Sequence, residues 1–293
     1  MQSVKKKVIA VVGPTASGKS SLGIYLARKL HGEVISADSR QVYKGLDIGT
    51  GKVTKKEMAG VRHHLLDVVS PKKQFTVDDF VKRAERSISG IARPLVVGGT
   101  GLYADMLLGR MSYPNVPPNP ALRAALEKKS AARLFAQLQK LDPRRAAAIE
   151  PEHKRRLIRA IEIAKAVGKS PETAPEPKYD VLWLGLSPSP EKLQKNIRTR
   201  LKARIKAGMA AEAKQLHAKG LSYKRMGELG LEYRSLAALL QYQVTAQEFE
   251  AGLERAIQQY SKRQIRWFKR NKDIRWVSGK TEALRLAKAF LSR

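Results

Sequence analysis

The chain has 293 residues, enough for one large domain or two domains with an extensive core. It has no cysteine, which excludes disulfide bonds and thiolate metal sites. Lysine and arginine number 57 against 26 aspartates and glutamates, and the net charge of +31 favours a polyanionic partner such as nucleic acid. No apolar stretch approaches the roughly 18 residues of a membrane span, so we expect a soluble, cytoplasmic protein.

The first elements of the chain alternate between strands and helices. Leucines at helical spacing predict a helix over 19–30, and a second helix is predicted over 77–91 with Thr76 as its N-cap. Short apolar strands are predicted over 7–12, 33–37 and 94–97. This alternation predicts an α/β fold with a parallel sheet flanked by helices, in which ligands gather at the carboxyl ends of the strands.

Two proline-rich segments interrupt this pattern. Residues 113–120 contain four prolines, and a second such stretch covers 170–178. The residues between them are helical in pattern and predict a small all-helical insertion, which gives domain boundaries of 1–114, 115–178 and 179–293. After the insertion we predict a strand over 181–186, long helices over 191–219 and 246–271, and a last strand over 274–277.

The first strand runs directly into the sequence Gly-Pro-Thr-Ala-Ser-Gly-Lys-Ser. This is the phosphate-binding P-loop pattern, G-x-x-x-x-G-K-[ST], in its strand-then-helix context, and it makes the predicted sheet P-loop NTPase-like. Successive N–H groups and the helix N-terminus favour a bound anion, Lys19 adds a positive charge, and the Ser20 hydroxyl is placed to hold Mg²⁺. We predict a diphosphate or triphosphate site at Gly13, Pro14, Thr15, Ala16, Ser17, Gly18, Lys19 and Ser20.

Polar residues also follow the next two predicted strands. Asp38 is placed to accept a proton from a nucleophile or to hold a metal ion, or it caps a turn. Thr100 offers a hydroxyl within Gly98–Gly101, where the glycines either allow close approach to a ligand or make a tight turn. The polar loop 47–52 is compatible with a ligand contact and with an ordinary surface loop. His63 and His64 are interpreted as ordinary loop histidines.

Basic residues cluster in three helical segments. These are 154–159, 198–206 and 262–272. Each cluster alone is typical of a solvated helix face, but the three together with the net charge favour a nucleic-acid groove. The aromatic residues among the last cluster, including Tyr260 and Trp267, follow Phe249 and Ile257 at helical spacing and are interpreted mostly as core.

Several motifs together resemble the bacterial-type tRNA dimethylallyltransferases, also called tRNA isopentenyltransferases. They are the P-loop and the segments 36–43, 45–50, 64–67, 75–80, 97–103 and 260–268. The resemblance implies transfer of a dimethylallyl group from its diphosphate to N6 of adenosine 37, beside the tRNA anticodon, with Mg²⁺ as cofactor. The implied partners are the tRNA anticodon stem-loop and dimethylallyl diphosphate, and we expect a monomer.

The resemblance also implies roles for individual residues. Asp38 matches the general base, and Thr100 and Lys19 match further catalytic positions. Arg234 matches a basic residue that contacts the diphosphate, although Glu232 stands near a position where relatives have glycine. Contacts with tRNA are implied for Asp38, Ser39, Arg40, Gln41, Thr100, Arg123, Arg155, Arg156 and Arg159.

The sequence is also compatible with three other functions. A P-loop small-molecule kinase shares the loop and the acidic residue after the second strand, but it does not need a net charge of +31. A prenyltransferase that acts on free adenine nucleotides needs less basic surface. A nucleotide-gated RNA-binding protein without catalysis has no need of Asp38 together with Thr100.

Overall fold

The computed structural model describes residues 5–112, 114, 116–169 and 177–293. The chain forms two compact units, one from Met1–Arg110 with Pro177–Arg293 and the other from Met111–Glu176. Most of the second proline-rich segment, and residues 113 and 115 of the first, lie outside the described residues. The domain boundaries at 114 and 178 stay predictions.

The first unit contains one six-stranded sheet. Its strands are β1 (Lys7–Val12), β2 (Glu33–Ser36), β3 (His63–His64), β4 (Pro94–Gly98), β5 (Asp180–Gly185) and β6 (Arg275–Trp276). The strand order is β3-β2-β4-β1-β5-β6, and every neighbouring pair is parallel. The predicted α/β fold with a parallel sheet is therefore confirmed, and the carboxyl ends of β1, β2 and β4 meet at one edge.

Helices surround the sheet and form the second unit. Before the insertion, the first unit contains α1 (Lys19–Leu30), α2 (Lys55–Met58), α3 (Val77–Gly90) and α4 (Gly101–Leu107). The second unit contains α5 (Pro120–Glu127), α6 (Ala131–Leu141), α7 (Pro143–Ala147) and α8 (Lys154–Val167). The first unit resumes with α9 (Pro190–Lys206), α10 (Met209–Ala218), α11 (Tyr223–Glu228), α12 (Leu231–Leu240), α13 (Ala246–Phe268) and α14 (Lys280–Leu291).

The two faces of the sheet pack against different helices. Val8, Ala10 and Val12 of β1 join a buried core with α3 and α4. Ile9 and Val11 of the same strand join a core with α1 and α14 on the other face. Because both faces are covered, β1 is a continuous apolar run, as is usual for a parallel strand in the middle of a sheet.

A third buried cluster contains side chains from the five helices α9 through α13 and from the loop that follows β2. Val42 and Leu46 of that loop are completely buried in it, as is Leu253 of α13. Tyr233 of α12 is among the largest fully buried side chains of the molecule. The cluster thus fixes the late helices of the chain against a loop at the carboxyl edge of the sheet.

Local signals predicted the start of α3 correctly. Thr76 accepts the N–H of Asp79, and the Asp79 carboxylate accepts the N–H of Thr76, which forms a capping box. This reciprocal pair satisfies two backbone donors at the helix start. The predicted N-cap is confirmed, and β1 and α1 have the predicted bounds.

Two predictions about secondary structure are wrong. The single helix expected over 191–219 is divided into α9 and α10, because Gly208 takes a left-handed φ of 97° that interrupts the helix. His63 and His64 form the edge strand β3 instead of a loop, and they pair with Val34 and Ile35 of β2. A two-residue strand is too short to show a periodic pattern in the sequence. It is recognised only by its pairing with β2.

Among its described residues, the second unit has helices and no strands, as expected for the insertion. Its core consists mainly of leucine and isoleucine side chains from α6 and α8, namely Leu134, Leu138, Leu157, Ile158 and Ile161. Across the described ranges of both units, no helix combines the length and the apolar character needed to cross a bilayer.

Candidate active site

The P-loop between β1 and α1 has the strained backbone that an anion nest requires. Three of its residues have positive φ: Gly13 at 153°, Ala16 at 62° and Gly18 at 93°. Helix α1 begins at Lys19, and the N–H groups of a first helical turn have no partner within the helix. These donors and the positive end of the helix dipole therefore converge on one place.

Side chains from distant parts of the chain hold the P-loop in this conformation. Asn196 on α9 donates from Nδ2 to the Ala16 carbonyl at 3.0 Å. Gln264 on α13 accepts the Thr15 N–H at 2.8 Å and donates to the Gly99 carbonyl at 2.8 Å. The buried amide group of Gln264 therefore links the loop after β1 to the loop after β4.

A cleft opens at the carboxyl edge of the sheet. The P-loop contributes Thr15, Lys19 and Ser20 to it, and the loop after β2 contributes Asp38 to Gln41. The remaining polar walls come from Thr50, Gly51, His63, Arg200, Glu232, Tyr260 and Gln264. The cleft therefore contains three of the eight residues predicted for the P-loop and all four predicted for the segment after β2.

Asp38 both caps a turn and faces the cleft. Its Oδ1 accepts the N–H of Arg40 at 2.8 Å and the N–H of Gln41 at 3.3 Å. Both bonds use the same oxygen, so Oδ2 has no part in the turn. The two interpretations of Asp38 from the sequence are thus compatible, because one oxygen shapes the loop and the carboxylate still lines the cleft.

Thr100 is connected to the cleft through two residues that line it. Its hydroxyl oxygen accepts the Ser39 N–H at 3.1 Å, and its side chain is hydrogen-bonded to Tyr260. Burial, together with the nearby Asp38 carboxylate, raises the pKa of Tyr260 to about 12. Tyr260 is therefore a neutral phenol at physiological pH.

Lys19 and Arg200 bring two positive charges to the cleft. In the part of the chain that the structure describes, neither forms an ion pair, and Lys19 Nζ donates to the Pro14 carbonyl at 3.1 Å. Burial lowers the pKa of Lys19 to about 8; Asp38 opposes this shift and Arg200 adds to it. Two cations that face one cleft, one of them lowering the pKa of the other, favour a polyanionic ligand between them.

The glycines at the end of β4 and just after it are required by packing within the protein. A Cβ atom at Gly98 would lie 2.1 Å from the Ala37 carbonyl oxygen, and one at Gly99 would lie 2.5 Å from Gln264 Nε2. At Gly101 it would lie 2.2 Å from the Trp267 ring. Gly98 also lines the cleft, so the tight packing of this segment and the close approach of a ligand are compatible.

Several residues of the cleft were not predicted. Arg200 lies in a predicted basic cluster and Gln264 in the segment 260–268, but neither of them nor Glu232 was predicted at the site. The packing of α9, α12 and α13 brings them to the cleft. Tyr260 was interpreted as core, but it lines the cleft. One signal was present, since Tyr260 and Gln264 are four residues apart and share one face of α13.

Arg234, predicted at the diphosphate, lies elsewhere on α12. Its side chain is exposed and donates from Nε to the Gly227 carbonyl at 3.2 Å. The residues that line the cleft within the described chain include Gly230, Leu231 and Glu232 of this segment but not Arg234.

His63 and His64 have different surroundings. His64 Nε2 lies 2.6 Å from a carboxylate oxygen of Glu33. His63 lines the cleft, its Nδ1 lies 2.9 Å from the Val61 carbonyl, and burial lowers its pKa. His63 is therefore a neutral imidazole that donates through Nδ1.

Two arginines predicted to contact tRNA are paired inside the second unit. Arg123 and Arg159 both donate to the carboxylate of Glu162, which also accepts the Asn119 N–H. Although burial raises the pKa of Glu162, these hydrogen bonds prevail and hold it at about 2. Arg155 and Arg156 of α8 are exposed. Contacts of all four arginines with tRNA stay predictions.

Comparisons with known proteins agree on one family. The family model for IPP transferases matches residues 41–271. The tRNA dimethylallyltransferase of Streptomyces coelicolor is 37% identical over 98% of this chain and 96% of its own length. The corresponding protein of Alkaliphilus oremlandii is 36% identical over 94% of this chain and 92% of its own.

Solved structures give the same result. A full-length tRNA isopentenylpyrophosphate transferase from Bacillus halodurans superposes with a TM-score of 0.73 at 35% identity, covering 98% of this chain and 96% of that one. A eukaryotic dimethylallyltransferase acting on tRNA superposes with a TM-score of 0.86 at 28% identity, covering 98% of this chain and 80% of that one.

Proposed function

The chain belongs to the tRNA dimethylallyltransferase family, and we propose on that premise that it transfers a dimethylallyl group from dimethylallyl diphosphate to N6 of adenosine 37 in tRNA. The observation that supports this most strongly is the meeting of Lys19, Ser20 and Asp38 on one cleft. It gives the cleft a polyphosphate-binding side and a carboxylate side. An alkyl transfer to a nitrogen nucleophile needs both.

The P-loop side would hold the leaving group. Backbone N–H groups of the loop, Lys19 and Arg200 are placed to bind the diphosphate of the donor. As negative charge grows on the diphosphate, these N–H groups and positive side chains stabilise the leaving group more than they stabilise intact dimethylallyl diphosphate. The P-loop in this function therefore serves departure of a diphosphate and not transfer of a phosphoryl group.

Asp38 would serve as the base for the attacking amine. The lone pair of an adenine amino group is delocalised into the ring, so the amine is a weak nucleophile unless its proton is removed as the bond forms. The bond between N6 and C1 of the donor forms while the C1–O bond breaks. The electron pair of the broken bond leaves with the diphosphate, and one N6 proton passes to the Asp38 carboxylate.

Mg²⁺ is the proposed cofactor, and the Ser20 hydroxyl is the protein oxygen that would hold it. Mg²⁺ prefers oxygen ligands and often combines one or two protein ligands with substrate phosphates and water. Ser20 lines the cleft at the start of α1, which fits this donor chemistry. Such an ion would neutralise part of the charge of the departing diphosphate.

The charge of the protein supports tRNA as the acceptor. A net charge of +31 is suited to many phosphate contacts, and exposed arginines such as Arg155 and Arg156 supply them in the second unit. The target base has to leave the anticodon stack to reach a cleft at the edge of a sheet. A monomeric state and a cytoplasmic location are parts of the proposal that stay predictions.

A direct assay tests the proposed function. Purified protein, Mg²⁺ and labelled dimethylallyl diphosphate are incubated with an unmodified tRNA that has adenosine at position 37, and in parallel with the same tRNA carrying guanosine there. We expect label only in the adenosine-containing tRNA. Labelling of free AMP without labelling of tRNA contradicts the proposal, as does phosphate transfer from ATP without any alkyl transfer.

The low pKa of Lys19 predicts how donor binding depends on pH. In the free enzyme Lys19 loses its proton as the pH rises through about 8, so its attraction for the diphosphate falls on the alkaline side. We expect kcat/KM for the donor to decline between pH 7.5 and 9.5, with a smaller change in kcat, because bound diphosphate restores the charge of Lys19.

The variant Lys19→Ala is the control for this pH dependence. It should have a low kcat/KM that is nearly flat over the same range, since the titrating group is gone. A decline of the same size in Lys19→Ala would assign the effect to another group.

A further inference from the structure

The loop 47–52, called here the anchored loop, forms one wall of the cleft. Thr50 and Gly51 line the cleft, and Gln41 donates from Nε2 to the Gly51 carbonyl at 3.4 Å. Gly51 has a left-handed φ of 61°, and a Cβ atom there would lie 2.9 Å from Arg200 Nη2. The position of this loop therefore limits where the Arg200 guanidinium lies.

One carboxylate from α10 holds the first half of the anchored loop. Glu212 accepts three successive backbone N–H groups, from Asp47 at 3.0 Å, Ile48 at 2.7 Å and Gly49 at 2.9 Å. Hydrogen bonds to an ionised acceptor are stronger than those between neutral groups. Three such bonds to consecutive residues restrain this stretch of backbone.

Tyr233 fixes the Glu212 carboxylate from the other side. Its hydroxyl donates to Glu212 Oε1, which also accepts the Gly49 N–H. Tyr233 is 1% exposed, and burial with the charge of Glu212 raises its pKa, so it stays a neutral donor. A Cβ atom at Gly49 would lie 2.6 Å from the Tyr233 hydroxyl oxygen, which shows how closely the loop packs here.

Two basic side chains hold the rest of the loop. Arg204 on α9 donates from Nη1 to the Gly49 carbonyl at 2.7 Å and lies 3.4 Å from a Glu232 carboxylate oxygen. Lys52 donates to the Tyr43 carbonyl at 2.9 Å and pairs with Asp47. Within the loop, the N–H groups of Gly51 and Lys52 bond to loop carbonyls. Glu212 holds the N–H groups of the three residues before Thr50.

We propose that Glu212 is a positioning residue for the donor site, acting through the anchored loop on Arg200. The proposal rests on the proposed function, because it assigns the diphosphate of the donor to the cleft that the loop borders. Neither Glu212 nor Tyr233 lines the cleft in the described chain, so neither touches the substrate. Their effect on the reaction passes through Gly51 to the guanidinium of Arg200.

The test compares Glu212→Gln with Glu250→Gln. Glu250 lies on α13 and forms no ion pair among the described residues, so its variant is a matched loss of one carboxylate. The Gln amide has the size of the carboxylate but presents an NH₂ group to backbone donors. We expect kcat/KM for dimethylallyl diphosphate to fall about tenfold in Glu212→Gln, mainly through KM, with the Kd for tRNA unchanged. Glu250→Gln should match the wild type.

Tyr233→Phe separates positioning from general structure. It keeps the buried ring and removes only the hydroxyl that orients Glu212, so we expect a smaller loss, about threefold, in the same kinetic parameter. The proposal is overturned if either folded variant lowers only the melting temperature and leaves KM for the donor unchanged. If Glu212→Gln does not fold, Tyr233→Phe alone decides.

Binding of inorganic diphosphate gives a readout that does not depend on turnover. Calorimetry should show a weaker Kd, again by about tenfold, for Glu212→Gln than for the wild type. An unchanged Kd overturns the positioning role. A wild type that binds diphosphate but alkylates no tRNA refutes the proposed function instead, so the two failures are distinguishable.

Discussion

Replacing Asp38 with asparagine is expected to lower kcat by about 10²-fold or more, the range of general base catalysis. Asparagine keeps the Oδ1 acceptor that binds the N–H groups of Arg40 and Gln41, so the turn after β2 persists. What it loses is the ability to take a proton from the attacking amine. The variant therefore separates the chemical role of Asp38 from its structural one.

Single-turnover rates at pH 7, with saturating donor and Mg²⁺, measure this effect. The assay is run at pH 7, below the Lys19 pKa of about 8, because the Asp38 carboxylate helps to keep Lys19 protonated. Loss of that charge in Asp38→Asn is expected to lower the pKa of Lys19 further. Asp78→Asn is a suitable control, since Asp78 is an exposed carboxylate of α3 paired with Lys82. An Asp38→Asn rate within threefold of the wild type would exclude Asp38 as the base.

Replacing Arg200 with glutamine is expected to raise KM for the donor by about 10- to 100-fold. A hydrogen bond to a charged group contributes about 1.5–3 kcal/mol, and every 1.4 kcal/mol corresponds to about a factor of ten. Arg200 lines the cleft near Lys19, whereas Arg234 does not line it and donates to the Gly227 carbonyl. Arg234→Gln should therefore change KM for the donor by less than about threefold.

The pair of variants tests which of the two arginines binds the diphosphate. Arg234 was assigned to the diphosphate from a resemblance in motif, and Arg200 is assigned from its place in the cleft. Steady-state kinetics with varied donor concentration at saturating tRNA measures both. A larger KM effect in Arg234→Gln than in Arg200→Gln would favour the motif over the geometry.

Contiguous signals made the first part of the site predictable. The P-loop needs eight successive residues between a strand and a helix, and each requirement is local. Asp38 follows from the same reasoning, because parallel strands bring their carboxyl ends to one edge. Thr76 was predictable as an N-cap since its partner is only three residues away.

Residues that act over long sequence separations were not predictable. Gln264 meets Thr15 across 249 residues, and Glu212 meets Gly49 across 163. Periodicity gives the buried face of α10 or α13 but not the loop that packs beside it. Even the helix break at Gly208 was missed, since an isolated glycine within a helical pattern is often tolerated.

The bridge made by Gln264 has a consequence for the order in which the protein becomes competent during synthesis. The P-loop emerges among the first twenty residues, yet its Thr15 N–H finds its partner only when α13 is complete, near the end of the chain. Its strand β1 likewise waits for β5 to cover one edge. Contacts of such high sequence separation form late, so a nascent chain carries the whole phosphate-binding motif long before it has a donor site.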